Sequence, residues 1–257
     1  MAAVPNSQQE IEHRRAAGLL TWSGPALMLF ARTACSVLAQ GLIAGVYALQ
    51  SSPEPWKAAA RWLPVYATLI DAGCLALLWM LVRRERIRLR DLLSFDRDRW
   101  RGDVLLGLGL IPISLLFIFA GISASSYIVY GTIHAPSLYQ PLPLPAALYA
   151  VLVFPLVWGL TEQMTYNGYL APRFQVLSGS TALAVALVSF AWSFQHVVQP
   201  LTFDSHFMLY RLLAPIPFSV FVTLLYLRIR RLLPFVIAHW LMDGADALVE
   251  LLLPLFK

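Results

Sequence analysis

Seven runs of about twenty mostly apolar residues dominate this chain, each long enough to cross the hydrocarbon core of a bilayer as a helix. They fall at 24–49, 62–82, 104–125, 145–170, 181–198, 207–227 and 233–253. Backbone polar groups in lipid must be satisfied within the segment, and helices do this. The expected fold is therefore all-α, a polytopic transmembrane helical bundle of about seven spans. Composition agrees: 13% of residues are charged and 59% are hydrophobic, with mean hydropathy +0.67, against about 25% charged in an ordinary soluble domain. No polar stretch is long enough to hold a second, soluble domain.

Charge divides the chain further. Residues 1–23 form a polar N-terminal segment in which Glu10, Glu12, Arg14 and Arg15 replace the apolar core of a cleaved signal peptide. Residues 24–139 are expected to hold the first membrane helices and one Arg-rich loop. That loop runs from Arg83 to Arg101 and mixes Arg84, Arg86, Arg88, Arg90, Arg97 and Arg99 with Asp91, Asp96 and Asp98. Anionic lipid headgroups are the natural partner of such a loop, and nucleic acid is not expected. A cytoplasmic N-terminus puts this loop, the loop carrying Arg173 and the Arg228, Arg230, Arg231 cluster on the inside, as the positive-inside rule requires. The uncharged 127–144 connector and residues 199–206 then lie outside. The preference for Arg over Lys suggests a GC-rich bacterial genome, hence a bacterial cytoplasmic membrane. Cys35 and Cys74 fall in apolar runs and are expected to be buried thiols.

Against this background Glu162, His196, His239 and Asp243 stand out, since an ionisable side chain inside a membrane is costly and is normally kept for a partner, a pathway or chemistry. They sit on three predicted helices, in Thr161-Glu162-Gln163-Met164-Thr165-Tyr166-Asn167, Trp192-Ser193-Phe194-Gln195-His196 and His239-Trp240-Leu241-Met242-Asp243. His239 and Asp243 share a helix face at i, i+4, as do Trp192 and His196. Three helices can thus bring an acid and two imidazoles to one point, although counting the helical rise puts His196 nearer the opposite side of the membrane than the other two.

These motifs resemble the CAAX-protease and bacteriocin-processing (CPBP, or Abi) intramembrane proteases, relatives of the type II CAAX prenyl endopeptidase. The family pattern is Glu-Glu-x-x-x-Arg, then Phe-x-x-x-His, then His-x-x-x-Asn or Asp, on successive helices. Glu162, His196, His239 and Asp243 match it, with Trp192 in the aromatic position. The resemblance covers roughly residues 140 to 250 and implies that 140–257 are the catalytic core helices. Two positions depart: Gln163 stands for the second glutamate and Asn167 for the arginine. At i, i+4 these two amides can replace an ion pair by a hydrogen bond.

The resemblance implies an intramembrane endopeptidase acting on a membrane-associated or lipidated peptide. Glu162 would activate water, since burial makes a carboxylate a stronger proton acceptor. His196 would hold that water and pass a proton to the leaving amine, His239 would donate to the oxyanion, and Asp243 would orient His239. The preferred mechanism requires no metal. Zinc on Glu162, His196 and His239 is the alternative, though no His-Glu-x-x-His pair occurs. Two other functions stay open: a catalytically inactive binding or immunity protein on the same fold, and a transporter using an Asp243, Asp246, Glu250 stripe, with Arg211 reaching Glu250. Arg32 and Asp71, at similar depth on neighbouring helices, are expected to form a buried structural pair.

Overall fold

A computed structural model describes residues 5–134, 136–137 and 139–256. Among them there is no strand, and the chain forms a helical membrane bundle. In order the helices are α1 (Gln8–Ala16), α2 (Ser23–Leu29), α3 (Ala31–Leu49), α4 (Pro55–Ala60), α5 (Leu63–Arg84), α6 (Trp100–Tyr130), α7 (Leu144–Leu152), α8 (Phe154–Gln163), α9 (Ala171–Ser178), α10 (Thr181–His196), α11 (Ser205–Leu213), α12 (Ile216–Ile229) and α13 (Leu233–Ala247). Five segments are long and apolar enough to span: Ala31–Leu49, Leu63–Arg84, Trp100–Tyr130, Leu144–Ser178 and Ser205–Ile229. The remaining two predicted spans are the shorter helices α10, of 16 residues, and α13, of 15.

Membrane helices face lipid with apolar side chains and keep polar ones inside, and this bundle does so. Leu38, Leu42, Leu105, Leu116, Phe119 and Ile128 are exposed, a surface that water would not tolerate. Arg32, Gln40, Asp71, Glu162, Gln163, Asn167 and Gln195 are buried. Helix α13 packs between α6 and α8, α10 lies against α9 and α12, and α5 lies against α8.

Several ends differ from expectation, for local reasons. The run expected at 145–170 breaks at Val153, because Pro155 removes a backbone donor in the first turn of α8. It then passes Leu170 through a π-helical turn, Met164–Leu170, and ends at Ser178. Gly179, with φ of 67°, supplies the left-handed stop, and Ser180 caps α10 by accepting from the Leu183 amide. The 207–227 run is divided at Ala214–Pro215. Gly45 meets no neighbour at its Cβ position, so a packed Gly41-x-x-x-Gly45 face is not formed.

The polar N-terminal segment is tied to the end of the bundle that carries the arginines. Arg173, expected in a loop, is instead fully buried on α9, where Nε and Nη2 each donate to Glu85 at 2.7 Å. Arg14 reaches the same carboxylate at 3.3 Å. Asn6 donates to the Gly168 carbonyl at 2.9 Å, and Arg15 to the Val176 carbonyl at 2.5 Å. Arg231 pairs with Asp103 at 2.7 Å, and Arg230 bonds Gln175.

Candidate active site

Helices α8, α10 and α13 bring the four sequence-predicted residues to one cavity of about 210 Å³, lined by Glu162, His196, His239 and Asp243 together with Trp158, Trp192, Phe218 and Arg211. The pocket reaches from mid-bundle toward the connectors that hold Tyr139 and Gln199. His196 and Glu162 thus line the same cavity, although helical rise puts them at different depths.

Glu162 is 1% exposed and surrounded by donors. Trp192 Nε1 donates to Oε2 at 3.0 Å and Gln195 Nε2 to Oε1 at 2.5 Å. Arg32 Nη2 lies 3.6 Å from Oε1. These donors hold the carboxyl group in one orientation. The π-helical turn that follows Gln163 is a feature often found at functional sites. It accommodates the bond from Asn167 Nδ2 to Gln163 Oε1 at 2.8 Å, so the two amides pair as their spacing suggested.

That pair does more than replace an ion pair. Gln163 Nε2 lies 3.2 Å from His239 Nδ1, and with its carbonyl already accepting from Asn167 it donates there. Nδ1 is then the acceptor and Nε2 carries the hydrogen. Nε2 faces two acceptors, Asp243 Oδ2 at 3.3 Å and Glu162 Oε2 at 3.7 Å. The ring is packed between Trp192 and Phe218, with centroids 6.2 and 6.1 Å away. Orientation of His239 is therefore shared: Gln163 holds one nitrogen, and Asp243 meets the other on the cavity side.

His196 presents the opposite polarity. Its Nδ1 lies 2.8 Å from the Trp192 carbonyl oxygen, which can only accept, so Nδ1 carries the hydrogen and Nε2 of the neutral ring is a lone pair. Among the described residues no hydrogen bond joins His196 to Glu162 directly; Trp192 connects them, through its indole N–H and its carbonyl. Arg211 donates to the His196 and Gln199 carbonyls at 3.4 and 3.0 Å, not to Glu250. Glu250 accepts from Ser137, and the acidic stripe ends at that surface contact.

Among the described residues no three His, Cys, Asp or Glu side chains are disposed to hold a metal.

Helices α8 and α13 approach closely at Gly159, where an added Cβ would lie 3.3 Å from the Trp240 nitrogen and 3.4 Å from His239 Cβ. Gly159→Val is expected to push α13 outward and widen the spacing between His239 and Glu162. Misplacement of about 1 Å costs on the order of 10²-fold in rate. Gly159→Ala should retain far more activity, and both variants should remain folded in detergent. Equal rates for the two would mean that this close approach does not set the geometry.

Residues 142–245 match the family described as type II CAAX prenyl endopeptidase Rce1-like. The likeness to that family is confined to this segment. It runs from α7 to α13 and contains Glu162, His196, His239 and Asp243. No curated protein and no solved structure matches the chain. Rce1-like proteins are CAAX-type proteases, so the family and the cavity point to the same kind of chemistry. Two residues at this centre escaped the sequence reading. Gln195 was visible as the neighbour of His196, three residues after Trp192 and hence near its face. Arg32, read as half of a separate pair with Asp71, also reaches Glu162; it lies outside the matched segment, and nothing in its local sequence signals the contact.

Proposed function

We propose that the protein is an intramembrane endopeptidase in which Glu162 activates water for hydrolysis of a peptide bond in a membrane-associated or lipidated substrate. The observation that carries this reading is the opposed presentation of two imidazoles beside one buried carboxylate. His196 offers a lone pair and His239 an N–H, so the cavity holds a base, a water acceptor and an oxyanion donor together. Glu162 takes a proton from water as the oxygen–carbon bond forms. The Nε2–H of His239 turns to the carbonyl oxygen as negative charge develops there, the substrate oxygen replacing Asp243 as acceptor. The C–N bond breaks as the proton is returned to the leaving nitrogen, with His196 Nε2 as the relay. No step uses a metal.

The change from Glu and Arg to Gln163 and Asn167, which left an inactive binding protein open, supports activity instead: the amides pair with each other and hold His239. The charge asymmetry of the bundle ends supports an N-terminus and Arg-rich loop on the cytoplasmic side of a bacterial membrane.

The test is cleavage of a farnesylated peptide ending in a Cys-aliphatic-aliphatic-X sequence, carrying a fluorophore and quencher, by purified protein in liposomes. Cleavage with the rate unchanged by 1,10-phenanthroline is expected. Loss of the rate on chelation, restored by zinc, would overturn the metal-independent mechanism; no cleavage of this or of membrane-anchored precursor peptides would overturn the protease reading.

A further inference from the structure

We propose that Arg32, on a helix outside the family-matched segment, is a positioning residue that keeps Glu162 ionised and fixed in the cavity. The proposal rests on the reading of Glu162 as the base and deepens it.

Arg32 is fully buried, and its guanidinium is divided among three elements. Nη1 donates to Asp71 on α5 at 2.8 Å, and Nε donates to Gln195 Oε1 on α10 at 2.8 Å. Nη2 is buried without a hydrogen bond and lies 3.6 Å from Glu162 on α8. A purely structural Arg–Asp pair would use the fork geometry, two parallel bonds to one carboxylate. Here Asp71 receives one. By taking the Gln195 carbonyl, Arg32 also obliges that amide to turn its NH2 toward Glu162, the 2.5 Å bond noted above. The cation thus reaches Glu162 twice, directly and through Gln195. The guanidinium carbon stands 4.3 Å from the centre of the Trp158 ring, whose face stabilises a cation without neutralising it.

Charge completes the argument. The groups facing Glu162 are Arg32 from α3 with Asp71 behind it, neutral Trp192 and Gln195 from α10, and His239 and Asp243 from α13. Arg211, in the same cavity, is turned to the His196 and Gln199 carbonyls, so among the described residues Arg32 is the one permanent cation within 4 Å of Glu162. Without it Glu162 would be an unpaired buried carboxylate close to Asp243, and a carboxylate so placed takes up a proton. The family position that carries arginine is Asn167 here, so the guanidinium at this centre comes from a different helix.

The test reads the charge of Glu162 without any substrate. Infrared difference spectra of ¹³C-glutamate-labelled protein, native minus Glu162→Gln, isolate the Glu162 band. Native protein at neutral pH is expected to give a carboxylate band. In Arg32→Gln combined with Asp71→Asn, which removes both charges and leaves neither partner stranded, the band should move to that of the protonated acid. In Asp71→Asn alone it should stay with the carboxylate. Cleavage by the double variant should fall about 10²-fold and recover as pH is raised; Arg32→Lys with Asp71 intact should keep part of the rate. A carboxylate band that survives in the double variant overturns the proposal, as does a rate lost equally at all pH values. Should the double variant not fold, Arg32→Lys decides, since a protonated Glu162 beside lysine also overturns it. Failure of native protein to cleave any peptide would strike the protease reading alone, because the infrared bands do not depend on it.

Discussion

Glu162→Gln is expected to lower peptide cleavage by about 10²- to 10⁴-fold, the usual worth of a positioned general base. The amide preserves the shape of the side chain but cannot take a proton from water. It also carries two N–H donors into a site where Trp192, Gln195 and Arg32 already present donors to both oxygens. One of these pairs must then set donor against donor, at a cost of about 1–3 kcal/mol in stability. Correct insertion and a monodisperse, folded protein in detergent should therefore be verified alongside the rate. Retained turnover would remove Glu162 from the mechanism.

The largest stability effect is expected far from the cavity, at Glu85. This carboxylate receives two bonds from Arg173 and the approach of Arg14 at the arginine-bearing end of the bundle. Glu85→Ala leaves two buried guanidinium groups facing each other, and removing one partner of a buried ion pair costs about 3–5 kcal/mol. Arg173 retains Asn6, the Gly168 and Tyr169 carbonyls and the face of Tyr169, which limits the loss at that residue. Among the described residues Arg14 retains only the Pro5 carbonyl. Thermal unfolding in detergent should shift downward, and limited proteolysis should open the segment containing α1 first. Glu85→Leu combined with Arg173→Met should cost less than Glu85→Ala, since no charge is stranded. An unchanged melting curve for Glu85→Ala would show that the cluster is solvated in the membrane-bound protein.

Legibility in the sequence followed the range of the forces involved. Hydrophobic runs report helices because lipid burial acts on every residue of a span. The pairing of Gln163 with Asn167 was readable as an i, i+4 relation on one helix. The break at Val153 was less evident, although Pro155 announces it. The π-helical turn at Met164–Leu170 was not evident at all, because no residue in it compels an extra backbone unit. Arg173 was misplaced because charge in a short polar stretch reads as a loop, whereas its partner lies 88 positions earlier in the chain.

Local chemistry thus determined the all-helical class, the family motifs and the identity of the acid and the two imidazoles. Tertiary packing alone decided that Arg32 shares its cation between Asp71 and Glu162, that Gln163 meets His239 Nδ1 across two helices, and that the polar N-terminal segment is clamped under the bundle. The physical reason is that hydrogen bonding between helices depends on rotation and depth of each helix, which are set by the whole packed bundle and are not encoded in any one span.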